Sequence, residues 1–281
     1  MAISRRREVI EQELEERLLR AIRISSRGRV AHVCFSGGVD STVVLAGSVR
    51  SGIETIALLG VSPSLAAAER ADAHRIANEI GVRVEEVATS EMELAGYRAN
   101  AGDRCYYCKS ALYDTVQALA QTRGSGEVIF VGTHVDDLGE HRPGLQAAIE
   151  RGVSAPLVDA DFTKLDVRSL ARHWGLSNAE KPAAPCLASR VPVGVQVTPE
   201  RLAQIEEVED FLRKNDVWPA RARWHEAVVR IEVPAELFER VVSEPLRGEL
   251  RRACRRAGFK FVALDLGGLQ SGSVSLPLLA S

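Results

Sequence analysis

The sequence predicts an α/β protein: a parallel sheet with helices on both faces, followed by a small α+β C-terminal domain. Short apolar runs alternate with segments of helical periodicity as far as residue 176, the pattern of strands joined by crossover helices. A turn of glycines and serines follows the first apolar run directly, as at the strand-to-helix junctions of open parallel sheets. Beyond a proline-containing stretch at 181–194 the order changes, and an alternating segment stands between two helical ones.

Residues 6–24 (RREVIEQELEERLLRAIRI) place Ile10, Leu14, Leu18 and Ile22 at near-helical spacing between charges, which predicts an amphipathic first helix packed on the core. VAHVCF (30–35) reads as a buried strand, and the stretch from Ser41 reads as a helix ending at Gly52. A strand at 53–61, a helix at 65–81 and a strand at 82–88 repeat the order. A polar loop around RCYYCK then leads to a helix over 110–122, the strand VIFVGT (128–133) and a loop rich in Asp, Gly, His and Arg. Loops of this kind follow the C-terminal ends of strands, where ligands sit in open α/β sheets. A helix covers 164–176, and the prolines of KPAAPCLASRVPVG (181–194) make it an extended loop. The domain boundary is placed near 195, giving domains 1–195 and 196–281. The second contains a helix from Pro199, the alternating RARWHEAVVRIEV (221–233), a helix around 235–257 and a strand in KFVALDL (260–266).

At 281 residues the chain has room for two domains of about 100 to 200 residues each. Charged residues are 26% and hydrophobic residues 46% of it, with a formal charge of -2 and a pI near 6.3. That is an ordinary globular composition, without the basic footprint of a nucleic-acid binder. No apolar run approaches the ~18 residues of a membrane span, and the N-terminal stretch alternates acids and bases, so the chain reads as cytoplasmic. Its five cysteines (34, 105, 108, 186 and 254) are an odd number without a secretory signal, which points to thiol or metal chemistry rather than a disulfide framework. Cys34 and Cys254 lie within apolar or helical stretches and are assigned to packing.

SGGVDS (36–41) joins the first strand to its helix. Backbone N–H groups of a Gly/Ser turn at a helix N-terminus cradle an anion, and glycines let a phosphate approach unobstructed. The phosphate loop G-x-x-x-x-G-K-[ST] adds a lysine, and its absence here argues against γ-phosphoryl transfer. SGGVDS resembles the pyrophosphate-binding loop of the ATP pyrophosphatase (PP-loop) superfamily, whose members cleave ATP between the α and β phosphates and adenylate a carbonyl oxygen. The resemblance implies a PP-loop, HUP-like fold in which Ser36, Gly37, Gly38, Asp40 and Ser41 hold the β and γ phosphates near Mg2+. Thr133, in the GTH segment, joins this cofactor-binding set.

Cys105 and Cys108 form one C-x-x-C, and Cys186 stands alone in PCLASR. A four-thiolate zinc site wants a second C-x-x-C. Three thiolates suit an iron–sulfur cluster with one open iron, or a dithiol plus a nucleophile. RCYYCKSALY (104–113), GTHVDDLGEHRPG (132–144), APLVDADFTKLDVRSLARHWGL (155–176) and KPAAPCLASRVPVG (181–194) resemble segments of the LarE family. RARWHEAVVRIEV and GFKFVALDLGGLQSGS (258–273) extend the similarity over nearly the whole chain.

LarE proteins are ATP-dependent pyridinium-3,5-biscarboxylic acid mononucleotide sulfurtransferases that make the thiocarboxylates of the nickel-pincer nucleotide cofactor. The resemblance implies that ATP adenylates a pyridinium carboxylate and that a sulfur nucleophile then displaces AMP. In members with one active-site cysteine, the residue matching Cys186 gives up its own sulfur and becomes dehydroalanine. Others bind a 4Fe-4S cluster through three cysteines, the pattern that Cys105, Cys108 and Cys186 match. The expected partners are the small-molecule nucleotide substrate, a sulfur donor or a downstream nickel-insertion protein, and copies of the same chain in a homo-oligomer, a hexamer by resemblance; neither nucleic acid nor membrane is expected.

Arg190, with Cys186 and Asp40, is assigned to catalysis, and Lys109, Lys181 and Arg190 are the cations placed to lower a cysteine pKa. Asp136, Asp137, Glu140 and Arg142 are candidates for magnesium, substrate or loop capping. Arg221 and Arg223 resemble the arginine pair that the family places at a phosphate. Two other readings stand beside this one. A PP-loop tRNA thiolase is disfavoured by mild acidity and too few cysteine pairs, and a nucleotide-binding redox or metal sensor is disfavoured by the intact Asp40 and the PCLASR segment.

Overall fold

The computed structural model describes residues 2–122, 126–139 and 143–269. In chain order they form α1 (Ala2–Ser26), β1 (Ala31–Cys34), α2 (Val39–Arg50), β2 (Thr55–Val61), α3 (Ala67–Ile80) and β3 (Val84–Ala88). Next come α4 (Ala95–Ala99), α5 (Arg104–Thr122), β4 (Val128–Phe130), α6 (Pro143–Glu150), α7 (Pro156–Asp159) and α8 (Lys164–His173). The remainder is α9 (Pro199–Lys214), β5 (Arg221–His225), β6 (Val228–Glu232), α10 (Phe238–Val242), α11 (Leu246–Arg256) and β7 (Phe261–Leu264). Two compact units divide the chain: Met1–Ser62, Ala67–Glu91 and Cys105–Ala184 in one, and Pro63–Ala66, Met92–Arg104 and Pro185–Ser281 in the other. Among the described residues no helix is long and apolar enough to cross a membrane.

The first unit holds a four-stranded parallel sheet in the order β3-β2-β1-β4. β1 is buried along its whole length, as a central strand covered on both faces must be, which is why VAHVCF carries no polar alternation. Its one polar residue, His32, is fully buried with Glu127 at 2.9 Å. α2 follows β1 and buries nearly every residue from Val39 to Ser48, packing on α1 and α8. Gly47 makes room for α1, because a Cβ there would lie 2.9 Å from Ile22 Cδ1. The sheet order reverses between β1 and β4, so the loops leaving their C-terminal ends flank the crevice where open α/β sheets hold ligands.

In the second unit β5 and β6 form an antiparallel hairpin and β7 joins β6 in parallel. The alternating 221–233 stretch is therefore two strands, turning at Glu226 in the left-handed region with φ 54°. α9 packs against β5, and α11 against α9 and β7. The two short excursions are tied to the extended segment after Pro185. Ser64 O accepts from Leu187 N at 3.0 Å, Arg98 O from Val197 N at 2.9 Å, and Asn100 Nδ2 donates to Pro192 O at 2.8 Å.

Two expectations need correction. RCYYCK is not a loop: α5 begins at Arg104, because the break comes from Gly102, with φ 106°, and nothing after Asp103 interrupts helical geometry. The helix expected over 235–257 is two helices, α10 and α11, since Pro245 removes a backbone donor and restricts Glu244 before it. Short α4, α6 and α7 were not anticipated as separate elements.

Candidate functional site

SGGVDS turns from β1 into α2 with Gly38 as the N-cap. Gly37 has φ 72°, and a Cβ on it would also lie 3.0 Å from Ala73 Cα, so conformation and space both require glycine. The serines build the turn. Ser41 Oγ donates to Gly38 O at 3.0 Å and accepts from Ser36 N at 3.3 Å, and Thr42 Oγ1 donates to Gly38 O at 2.9 Å. Buried Asn178 braces it from outside, donating to Gly37 O at 3.1 Å and Thr42 Oγ1 at 2.8 Å. A helix leaves its first-turn N–H groups without intrahelical partners, and those of α2 lie at the turn from β1.

The lysine absent from this loop comes from elsewhere. Lys164, the first residue of α8, donates from Nζ to both carboxylate oxygens of Asp40 at 2.6 Å. Lys164 N also donates to Asp136 Oδ2 at 2.8 Å, and Thr163 caps the helix in a reciprocal box with Asp166. Buried His134 lies through Nε2 4.0 Å from Asp40 Oδ1 and 3.6 Å from Asp137 Oδ2, and through Nδ1 3.9 Å from Asp136 Oδ2. Asp137 is spent in part on the local turn, accepting from His134 N at 3.2 Å. Thr133, half-buried, follows Gly132, which packs directly on the SGGVDS turn: a Cβ there would be 2.6 Å from Ser41 N and 2.8 Å from Asp40 C. Ser36, Gly37, Gly38, Asp40, Ser41 and Thr133 are thus gathered at the switch point, joined by Lys164, His134 and Asn178. Glu140 and Arg142 lie outside the described residues.

Cys105 and Cys108 occupy the first turn of α5, at the i, i+3 spacing that puts two side chains on one helical face. Cys105 is exposed and Cys108 half-buried. The Lys109 ammonium is held above its ordinary range chiefly by the Tyr113 phenol, with smaller contributions from Cys108, Cys34 and Cys105. Cys34, buried at the end of β1, is pushed up to about 12 by burial, and Cys254 likewise. Both are inert packing thiols. Lys181 is engaged on α3, donating to Glu69 at 2.7 Å and Asp72 at 3.0 Å.

Cys186 belongs to the second unit, exposed, as the N-cap of a single 3-10 turn from Leu187 to Arg190. Arg190 is buried beneath that turn. Its guanidinium pairs with both oxygens of Glu209 at 2.8 and 2.9 Å and donates to Pro185 O at 2.5 Å and Cys186 O at 3.1 Å. Arg223, also buried, pairs with Glu232 at 3.0 and 2.9 Å and donates to Ser189 O at 2.9 Å. The two arginines therefore act on backbone carbonyls that fix where the thiol stands. Burial, then the neighbouring Arg190, lowers the Arg221 guanidinium to about 10, an environment that an anion relieves. Glu209 and Glu232 escaped the sequence reading because a buried carboxylate has no motif.

Among the described residues no three His, Cys, Asp or Glu side chains stand together as ligands of one metal ion. Cys105, exposed, and Cys108, half-buried, share a helical face, and thiolates are the donor type of an iron–sulfur cluster.

No family model matches the chain. It is 42% identical over 247 residues to an uncharacterized protein of Synechocystis sp., covering 87% of this chain and 91% of that one. It is 34% identical over 246 residues to the pyridinium-3,5-bisthiocarboxylic acid mononucleotide synthase of Lactiplantibacillus plantarum, covering 86% and 88%. An uncharacterized protein of Methanocaldococcus jannaschii is 26% identical over 234 residues, covering 83% and 88%.

Proposed function

Because the chain belongs to the LarE family of sulfurtransferases, we propose that it is an ATP-dependent enzyme that converts the carboxylates of pyridinium-3,5-biscarboxylic acid mononucleotide to thiocarboxylates. The observation that carries this is the phosphate loop at the sheet's switch point, with Asp40 and Lys164 paired at 2.6 Å beside it. A substrate carboxylate oxygen attacks the α-phosphorus, the bond to the bridging oxygen of the β-phosphate breaks, and pyrophosphate leaves. The α2 N-terminus and Lys164 neutralise the charge that builds on it. Asp40 positions Lys164 in the resting site and is freed to hold Mg2+ when phosphates take the lysine. Sulfur then attacks the acyl carbon and AMP departs, its phosphate a far better leaving group than the oxide it replaces.

Cys186 is presented by the turn that Arg190 and Arg223 pin from below, and it is the proposed acyl acceptor where no cluster is bound. Arg221 is proposed to take the substrate phosphate. Cys105, Cys108 and Cys186 would hold a 4Fe-4S cluster, which when bound supplies an open iron able to carry a replaceable sulfide. Without one, Cys186 gives its own sulfur once. The chain is further proposed to act as a homo-oligomer.

The test is pyrophosphate and AMP release from ATP and Mg2+ with the dicarboxylate mononucleotide, alongside Asp40→Ala. Substrate-dependent release that Asp40→Ala removes supports the reading. ATP binding without release refutes it.

A further inference from the structure

We propose that the outer face of α11 is a docking surface for a protein partner with an acidic face. Between Leu246 and Lys260 the chain carries Arg247, Arg251, Arg252, Arg255, Arg256 and Lys260 against a single acid, Glu249. All six cations are exposed, whereas Leu250, Ala253, Cys254 and Ala257 on the inner face are buried. Arg247, Arg251 and Arg255 recur every four residues and so form one row along the helix, with Arg252 and Arg256 in a second row beside it.

Like charges at this spacing repel, and Glu244, just before the helix, offsets part of this by attracting Arg247 and Arg252. Arg247 pairs with Glu244 at 2.8 Å, and Arg256 comes no closer than 4.0 Å to Glu207. Among the described residues no carboxylate lies within ion-pairing distance of Arg251, Arg252 or Arg255. A protein of formal charge -2 thus concentrates cations on one short helix that none of the sulfur chemistry uses.

The chemistry of the strip selects its occupant. Leu250, Ala253 and Cys254 face inward and Leu246 is half-buried, so the helix exposes no large apolar side chain as a membrane anchor. The helix has no aromatic side chain on which bases could stack. At 11 residues it is about 16 Å long at ~1.5 Å per residue, the scale of a patch rather than of a polymer track. Outside it the chain is net acidic, which repels an extended polyanion beyond the strip. The planar guanidinium forks pair bidentately with carboxylates, so clustered Asp and Glu on a partner match them.

The proposal is independent of the sulfur-transfer reading, and its experiment reads binding rather than turnover. A fluorescein-labelled twelve-residue oligoglutamate is titrated with the full chain at low and high salt, beside Arg251→Glu/Arg255→Glu and Arg251→Gln/Arg255→Gln. The expected result is at least tenfold weaker binding by the charge-reversed chain, an intermediate loss in the neutral one, and unchanged pyrophosphate release in both. Equal affinity in all three chains overturns it. So does tighter wild-type binding to duplex RNA or to phosphatidylserine vesicles than to the peptide, or a charge reversal that changes the sedimentation coefficient, which would make the strip a contact between copies.

Discussion

Adding a single methyl group at Gly132 tests whether the close approach of the loop after β4 to the SGGVDS turn is what positions the site. The Cβ of Gly132→Ala would lie 2.6 Å from Ser41 N, 2.8 Å from Asp40 C and 3.0 Å from Ser41 Cα, all backbone atoms that no rotamer change can move. Ordinary contact begins near ~3.5 Å, so the first turn of α2 and the β4 loop must part by nearly ~1 Å. Overpacking of this kind costs about 1–3 kcal/mol, which at ~2–4 °C per kcal/mol lowers the melting temperature by several degrees. A shift of ~1 Å in a phosphate cradle costs about 100-fold in rate. Gly139→Ala is the comparator, since a Cβ there meets no atom within 4 Å. Thermal unfolding and pyrophosphate release are measured on both variants. Wild-type stability and turnover in Gly132→Ala would refute the claim that this contact sets the loop.

Lys164→Ala is expected to reduce pyrophosphate release by roughly 100-fold through lost charge stabilisation, with Lys164→Arg retaining part of it, both checked by steady-state kinetics. Cys186→Ala should abolish thiocarboxylate formation, read by mass spectrometry, while adenylate formation from ATP persists. Iodoacetamide at pH 8 should modify exposed Cys105 and Cys186 but spare Cys34 and Cys254. Because burial pushes the two spared thiols up to about 12, raising the pH to 9 should leave both protonated and unlabelled until the chain is unfolded, as peptide mapping will show.

The parallel sheet was legible because a strand buried on both faces writes itself as a largely apolar run, as VAHVCF, TIALLGV and VIF do with only His32 and Thr55 as polar exceptions. The SGGVDS turn was legible because Gly37 admits no other residue type and leaves a fixed mark. Lys164 left none. It sits at the start of an amphipathic helix where a lysine is unremarkable in sequence, and only the docking of α8 beside α2 gives it Asp40. The C-x-x-C was placed in a loop because its polarity outweighed a helical spacing that one turn of cysteines and tyrosines cannot declare. The split between α10 and α11 was written in Pro245 and passed over.

Asp40 and Lys164 stand 124 positions apart along the chain yet touch in the fold. Every strand of the parallel sheet is encoded between them or just before Asp40, so a ribosome must release the whole sheet before the pair can close. On the proposed reading nucleotide binding would report on assembly: ATP would favour only a chain in which α8 has already found α2, and a nascent or truncated product ending short of residue 164 would gain no stability from it.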